Sequence, residues 1–230
     1  MEKTKVDHHA SIIIIKSEDD RFVLGGYDKG YPWFPNYGQL IGGNNEVVKD
    51  FTPWDILRRE VIEEISSVGK KDPSLFAEEV TLDNIRNSIL ENAQPYADFL
   101  VSDPIIEKEL NGVKKRSLKP GRVRESVISV YESIIPNSTV STIEKIIKDG
   151  KHFVGEYDTS WQGIVNKEDL LAGKPILAWC SPGMMSDYLR SILPNPHNGS
   201  VSNIGVIRCS LRDYLDDFDY IDPLIPSRKV

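Results

Sequence analysis

Three glutamates in one short segment are the residues best suited to chemistry. Glu60, Glu63 and Glu64 lie three and four residues apart within residues 52–66, TPWDILRREVIEEIS. On a helix this spacing places their carboxylates on one arc, where like charges repel. A divalent cation removes that repulsion, and carboxylate oxygens suit Mg²⁺ or Mn²⁺. The alternative is a solvated acidic face on a surface helix, which is a common pattern.

The same segment carries the signals of a helix with one buried side. Thr52 followed by Pro53 is typical of an N-cap and a first helical position. The helix is predicted to end near Ser66 or Ser67. At 100° per residue a second arc carries the apolar residues predicted to face the core: Trp54, Leu57, Val61 and Ile65.

The residues before and within this helix resemble the sequence box of the Nudix hydrolase family. That box is a glycine, five residues, Glu, seven residues, and then Arg-Glu-aliphatic-any-Glu-Glu-any-Gly-aliphatic. Residues 59–65, REVIEEI, match its second half residue for residue, and Gly42-Gly43 is similar to the glycine that opens it. An aromatic and proline run, residues 33–35, precedes the glycine-rich loop, as does a predicted hairpin.

Two positions depart from the box. Phe51 stands where the family has its first Glu, and Glu46 or Asp50 in the preceding loop could replace it. Ser66 stands where the box has its closing glycine, which removes the residue best suited to a left-handed C-cap. Gly69 is therefore predicted to take over the termination of the helix.

The resemblance implies a fold and an activity. The fold is a Nudix-type α/β/α sandwich with a mixed sheet. The activity is hydrolysis, dependent on Mg²⁺ or Mn²⁺, of a pyrophosphate bond in a nucleoside-diphosphate-linked or related diphosphate substrate. The resemblance also implies that Glu60, Glu63 and Glu64 hold the metal, and that Arg59 orients them through ion pairs. For Arg59 the alternative is a plain surface charge.

A general base is predicted outside the box. In several branches of the family a Glu on a later loop has this role, and here Glu156 lies in such a loop, as does Asp158. Turn residues without a catalytic role are the alternative at both positions.

Two further clusters are candidates for contact with the substrate. Residues 114–124 hold six cations and no acid, and guanidinium groups suit the oxygens of a phosphate. Aromatic residues of the run 33–37 could stack on a base. A solvated loop and core packing are the respective alternatives. The predicted substrate-binding residues are Trp33, Phe34, Gly42, Gly43, Arg122 and Arg124.

The rest of the sequence mixes strand and helix signals without strict alternation, which predicts an α/β fold. Residues 28–45 are predicted to be a loop, and Ser141 with Glu144 a capping box. Leu82, Ile85 and Ile89 have helical spacing. We expect a single domain over residues 1–230 with a helical insertion at about 69–121. Strands are predicted at 10–16, 21–27, 123–134, 161–165 and 204–208, and helices at 103–111, 141–149, 166–173 and 181–194.

Composition excludes several classes of protein. The chain has 230 residues, of which 40% are hydrophobic and 27% charged, so wholesale disorder is excluded. The net charge of −7 argues against a general nucleic-acid binder, and two cysteines exclude a disulfide-rich scaffold. No stretch approaches the roughly 20 apolar residues of a membrane span, so we expect a soluble, cytoplasmic protein.

Other functions stay open at this point. Phe51 and the insertion favour a catalytically weak or inactive domain that binds a nucleotide or a partner protein. An isomerase or a decapping enzyme on the same fold is a further alternative. The insertion could cover the active site or form the contact of a homodimer.

Overall fold

The centre of the molecule is a mixed β-sheet with helices against both faces. The computed structural model of the chain describes residues 8–27, 29, 34, 36–45, 52–103, 107–110, 113–116, 124–155, 161–194, 204–211 and 214. The strands are β1 (His8–Ser17), β2 (Arg21–Gly26), β3 (Gly38–Gln39), β4 (Ile41–Asn44), β5 (Ala93–Asp103), β6 (Glu107–Leu110), β7 (Val113–Arg116), β8 (Arg124–Ile135), β9 (Trp161–Asn166) and β10 (Gly205–Cys209). The helices are α1 (Pro53–Glu64), α2 (Glu79–Glu91), α3 (Asn137–Lys148), α4 (Lys167–Leu171) and α5 (Ser181–Leu189).

Strand β1 organises the sheet. It pairs with β8 in parallel along its whole length, from His8 to Ser17. Its other edge is shared, because β4 pairs antiparallel with residues 10–13 and β2 pairs antiparallel with residues 15–16. The run Ile12–Ile15 is buried throughout, as expected for a strand covered on both faces. The predicted hairpin of the first two strands is confirmed.

Each face of the sheet carries its own apolar core. On one face Ile13 and Ile15 of β1 pack with α1, α2 and α3. On the other face Ile12 and Ile14 pack with Met184 and Met185 of α5 and with Leu170 of α4. Alternate residues of one strand thus enter opposite cores, which is the two-residue period of a strand. The predicted α/β sandwich with a mixed sheet is confirmed.

Helix α1 begins as predicted. The Thr52 side chain accepts a hydrogen bond from the Asp55 N–H, and the Asp55 carboxylate accepts one from the Thr52 N–H. This reciprocal pair is a capping box, with Pro53 at the first helical position. Leu57, Val61 and Ile65 are fully buried, so the predicted core-facing arc is confirmed. Ser11 Oγ donates to the Pro53 carbonyl at 2.7 Å and ties the start of α1 to β1.

Several predicted elements differ from the structure. The predicted loop at 28–45 contains β3 and β4, because their short backbones pair with β2 and β1, which are distant in sequence. Helix α3 begins at Asn137, so Ser141 lies inside it and donates to the Asn137 carbonyl; the predicted capping box was wrong. Helix α5 ends at Leu189, earlier than the predicted stop at Pro194, because Arg190 adopts a left-handed conformation.

The segment at 69–121 is only partly helical in its described residues. Leu82, Ile85 and Ile89 lie on α2 and are buried, as their spacing predicted. Strand β5 follows and enters the main sheet between β8 and β10. The predicted helix at 103–111 was wrong, because residues 107–110 form β6, which pairs with β7. The division of the chain into domains stays a prediction.

Of the helices in the described part of the chain, none combines the length and the apolar character that crossing a bilayer requires.

The two capping assignments give a test of the helix starts. Thr52→Ala removes a side-chain hydrogen bond to the first turn of α1, and we expect it to lower the free energy of unfolding by about 1 kcal/mol. Ser141→Ala is the matched control, since its hydroxyl bonds back within α3, and we expect a change within about 0.5 kcal/mol. Urea denaturation measures both, and equal losses would contradict the assignment.

Candidate active site

The acidic side of α1 lies against the glycines of β4. A Cβ added at Gly43 would lie 2.4 to 2.6 Å from the three atoms of the Glu60 carboxyl group. Real Cβ atoms do not approach other atoms this closely, so the carboxylate occupies space that only a glycine leaves. Gly43 therefore has a local role: it lets the backbone of β4 approach the side chain of Glu60.

Gly42 has a different role from its neighbour. Its φ of +140° lies where L side chains are rare, and an added Cβ would lie 2.2 Å from the Ser11 carbonyl oxygen. Gly42 therefore permits the pairing of β4 with β1, whereas Gly43 makes room for a carboxylate.

Arg59 joins two of the three glutamates. Its Nη1 lies 2.8 Å from Glu60 Oε1 and 3.0 Å from Glu63 Oε2, and its Nη2 donates to the Asn44 carbonyl at 2.6 Å. The predicted ion pairs of Arg59 are thus present, and its side chain is only 12% exposed. The guanidinium group links the acidic side of α1 to the end of β4.

The three glutamates have unlike surroundings. The Glu60 side chain is 14% exposed and that of Glu63 is 51% exposed. Glu64 is buried, and its backbone carbonyl accepts a hydrogen bond from the Gly155 N–H at 3.0 Å. A freely solvated acidic face does not describe this helix, because two of the three glutamates are largely withdrawn from water.

The fit to a metal ion rests on Glu60 and Glu63. Within the described ranges, no three His, Cys, Asp or Glu side chains form a group that could hold a metal ion. The glutamate trio therefore does not form such a group with the side chains as placed here. Mg²⁺ is commonly bound through one or two carboxylates plus substrate phosphates and waters. Glu60 and Glu63 supply the two carboxylates that this mode of binding needs, with the substrate completing the site, and a metal ion would share them with Arg59.

The end of α1 is held by residues that the sequence did not single out. Arg86 Nη1 donates to the Ile65 carbonyl at 2.6 Å and also lies 2.6 Å from Glu79 Oε1. The Glu79 carboxylate in turn accepts hydrogen bonds from Ser66 Oγ, from Ser67 Oγ and from the Ser67 N–H. Helix α1 ends at Glu64 with Ile65 as a C-cap that is not left-handed, so Gly69 does not terminate it as predicted.

The contacts at the end of α1 change the pKa of Glu79. Partial burial acts to raise the pKa of the carboxyl group, but hydrogen bonds from Ser67 and Arg86 outweigh it and lower the pKa to about 2. Glu79 is therefore ionised whenever the protein is folded near neutral pH.

Only some of the other predicted site residues lie in the described part of the chain. Phe34 is buried and packs against Trp179, with ring centroids 4.7 Å apart, and against Tyr37. Its ring therefore contributes to packing within the protein. Residues 114–116 form part of β7, and Arg124 begins β8. The following residues lie outside the described part of the chain, and their roles stay predictions: Trp33, Glu46, Asp50, Phe51, Arg122, Glu156 and Asp158.

A cavity of about 720 Å³ lies elsewhere, between the start of α2 and the helix α3. Its charged lining residues are Lys145, Lys151, Glu78 and Asp149, so the two signs balance. None of the predicted site residues lines it. Its charge does not favour an anionic substrate over other small molecules.

Comparison with known proteins gives distant structural likenesses. No protein-family model and no curated protein matches the chain. The chain is similar to the solution structure of the E. coli ORF135 protein, with a TM-score of 0.40 and 13% identity, over 81% of this chain and 91% of that one. It is also similar to a MutT/nudix family protein from Enterococcus faecalis, with a TM-score of 0.30 and 16% identity, over 59% of this chain and 39% of that one. At these TM-scores the likeness decides neither the family nor the activity of this chain.

The two glycines of β4 should respond differently to alanine. Gly42→Ala forces a Cβ against the β1 backbone at a left-handed position, and we expect it to lower the free energy of unfolding by about 2 kcal/mol or more. Gly43→Ala meets only the end of a side chain that can swing away, so we expect less than about 1 kcal/mol. Urea denaturation measures both variants, and the opposite order would contradict the placement of β4.

The pKa of Glu79 predicts a pH dependence of stability. The carboxyl group of an unfolded Glu has a pKa of about 4.3, so the lower folded pKa stabilises the protein above that pH. This stabilisation is lost as the pH falls from there toward 2. We therefore expect Glu79→Gln to show a shallower fall in the free energy of unfolding over this range than the wild type. The exposed Glu91→Gln is the control, and parallel curves for wild type and Glu79→Gln would refute the prediction.

Proposed function

We propose that this chain hydrolyses a pyrophosphate bond in a nucleoside-diphosphate-linked or related diphosphate substrate, with Mg²⁺ or Mn²⁺ as cofactor. The observation that carries the proposal is the arrangement of Arg59, Glu60 and Glu63 against Gly43. These residues belong to the two parts of the sequence that resemble the Nudix box.

Burial of the carboxylates supports a functional role. Removing a carboxylate from water is costly unless the charge is paired and hydrogen-bonded. Glu60 is paired with Arg59 at 2.8 Å, and its carboxylate lies in the space left by Gly43, close to the like charge of Glu63. Replacing a buried ion pair by apolar side chains is often neutral or stabilising, so stability alone does not account for these charges, and such groups are concentrated at functional sites.

We propose a separate role in hydrolysis for each of the site residues. Glu60 and Glu63 would hold the metal ion, and Arg59 would fix their side chains by its two ion pairs. A bound divalent ion would neutralise charge on the diphosphate and lower the pKa of a coordinated water. Glu64 is buried at the end of α1, and its role as a third metal ligand stays a prediction. Glu156 stays the predicted general base.

In this hydrolysis the oxygen of water forms a bond to one phosphorus, and the bond between that phosphorus and the bridging oxygen breaks. The bridging oxygen leaves with the other phosphorus, so the products are two phosphate-bearing molecules. The two protons of the water go to product phosphate oxygens or to the solvent. Rigid placement on a packed helix is what this chemistry requires of the carboxylates.

A second function is favoured by one observation. Arg59 already engages both Glu60 and Glu63, and no group of three metal-binding side chains forms among the described residues. Carboxylates that are paired with an arginine and form no such metal-binding group are expected in a domain that binds nucleotides with little or no turnover. Tight binding of a nucleotide, measured by calorimetry, without products in any diphosphate tried would favour this second function.

Glu63→Gln tests the hydrolase directly. The substitution keeps the size of the side chain but removes one metal-binding charge, and we expect kcat to fall about 100-fold, equivalent to about 2.7 kcal/mol of transition-state stabilisation. The Glu63 side chain is half exposed, so we expect the loss of its ion pair to change stability by less than about 0.5 kcal/mol.

The assay is a phosphate-release screen over nucleotide sugars, ADP-ribose, dinucleotides and nucleoside triphosphates, with Mg²⁺ and with Mn²⁺. Glu91→Gln, an exposed substitution at the end of α2, is the matched control and should retain wild-type kcat. Wild-type activity in Glu63→Gln would remove this carboxylate from the mechanism.

A further inference from the structure

The last turn of α1 lacks the glycine that would end it, and other parts of the chain bind its carbonyl groups. The Glu63 carbonyl accepts from Lys70 Nζ at 2.9 Å, and the Glu64 carbonyl accepts from the Gly155 N–H. The Ile65 carbonyl accepts from Arg86. The carbonyl groups at the end of a helix have no partner within it, so such external donors decide where the last turn lies.

We propose that Arg86 and Glu79 of α2 are positioning residues for the carboxylates of α1. They act through the backbone at Ile65 and Ser67, which directly follows Glu63 and Glu64. The proposal rests on the proposed function, because it concerns the placement of the same acidic side of α1. It also explains why a serine can stand at position 66, where the box has a glycine. The Ser66 hydroxyl donates to Glu79 and accepts from the Val68 N–H, and a glycine could not make these contacts.

The geometry of Arg86 suits positioning better than simple charge balance. One guanidinium group reaches three acceptors at once: the Ile65 carbonyl, Glu79 Oε1 and, through Nη2, Asp83 Oδ1 at 3.0 Å. Arg86 is buried, and a planar guanidinium holds its partners in a fixed relation. The ammonium group of a lysine carries the same charge but cannot hold three acceptors in this planar arrangement.

Helix α2 is a rigid support for this contact. Its residues Leu82, Ile85 and Ile89 are buried in the same core as Val61 and Ile65 of α1. A shift of the last turn of α1 by about 1 Å would misplace a carboxylate enough to cost up to about 100-fold in rate. Helix α2 therefore acts on the site through the backbone at the end of α1.

Three substitutions test the proposal: Arg86→Lys, Arg86→Leu and Asp83→Asn. Asp83→Asn is the matched control, because it removes the charge of an exposed partner of Arg86 and leaves the contacts to Ile65 and Glu79. Two measurements apply to each variant. Hydrogen–deuterium exchange of residues 61–68 in the metal-free protein reports how firmly the last turn is held, and steady-state kinetics separates kcat from KM.

We expect both Arg86 variants to exchange faster at residues 61–68 and to lose about 10-fold to 100-fold in kcat, with KM within about threefold of wild type. Asp83→Asn should match wild type in both measurements. Arg86→Lys keeps a positive charge beside Glu79, which avoids the cost of an unpaired, partly buried carboxylate, so it decides the matter even if Arg86→Leu does not fold. Wild-type kcat and exchange in Arg86→Lys would overturn the proposal, because charge balance alone would then suffice.

The two proposals fail in different ways. If the wild type hydrolyses no diphosphate, yet Arg86→Lys exchanges faster at residues 61–68 and binds Mn²⁺ more weakly by calorimetry, the positioning role stands and the hydrolase fails. If the wild type is active and Arg86→Lys is unchanged in exchange and in kcat, the hydrolase stands and the positioning role fails.

Discussion

The close approach of β4 to the Glu60 carboxylate is the constraint on which the rest of the site depends. With the carboxylate in this position there is room only for glycine at position 43, and the pairing of β4 with β1 requires glycine at position 42. Strand β1 in turn has α1 tied to it through Ser11 and Pro53. The acidic side of α1 is thereby fixed to the centre of the sheet, where β8 supports β1 along its whole length.

Each end of α1 is fixed by a different kind of interaction. The start uses a local capping box between Thr52 and Asp55. The end uses tertiary contacts, in which Arg86 and Glu79 of α2 replace the local termination that a glycine would give. Between the two ends, Leu57 and Val61 anchor the helix in the core. A helix held at both ends and along one side can keep like charges together on the other side, which a fraying surface helix could not.

Sequence reasoning succeeded where the signals are local. The start of α1, its buried arc and the buried β1 follow from capping residues and from the spacing of apolar residues over a few positions. The ion pairs of Arg59 were implied by the resemblance of residues 59–65 to the Nudix box. These features need no knowledge of which segments meet in space.

The errors and omissions arose where distant segments decide the structure. Residues 38–44 look like a glycine-rich loop, but pairing with β1 and β2 makes strands of them. Ser141 has the spacing of a cap, but the helix already begins at Asn137. Ser66 looked like a defect of the box, and its partner Glu79 is 13 residues further along the chain. A pair of serines followed by a helix with Glu and Arg seven residues apart is a weak signal, and nothing local indicates that they meet.

The most direct test of the central claim follows the fate of solvent oxygen. The purified chain would be incubated with ADP-ribose or another active diphosphate from the screen, with Mg²⁺, in H₂¹⁸O, and the products analysed by ³¹P NMR. The account predicts two phosphate-bearing products, one of which carries a single ¹⁸O bound to phosphorus, and no reaction when the divalent ion is chelated. Intact diphosphates throughout the panel, with Mg²⁺ or Mn²⁺ present, would contradict it.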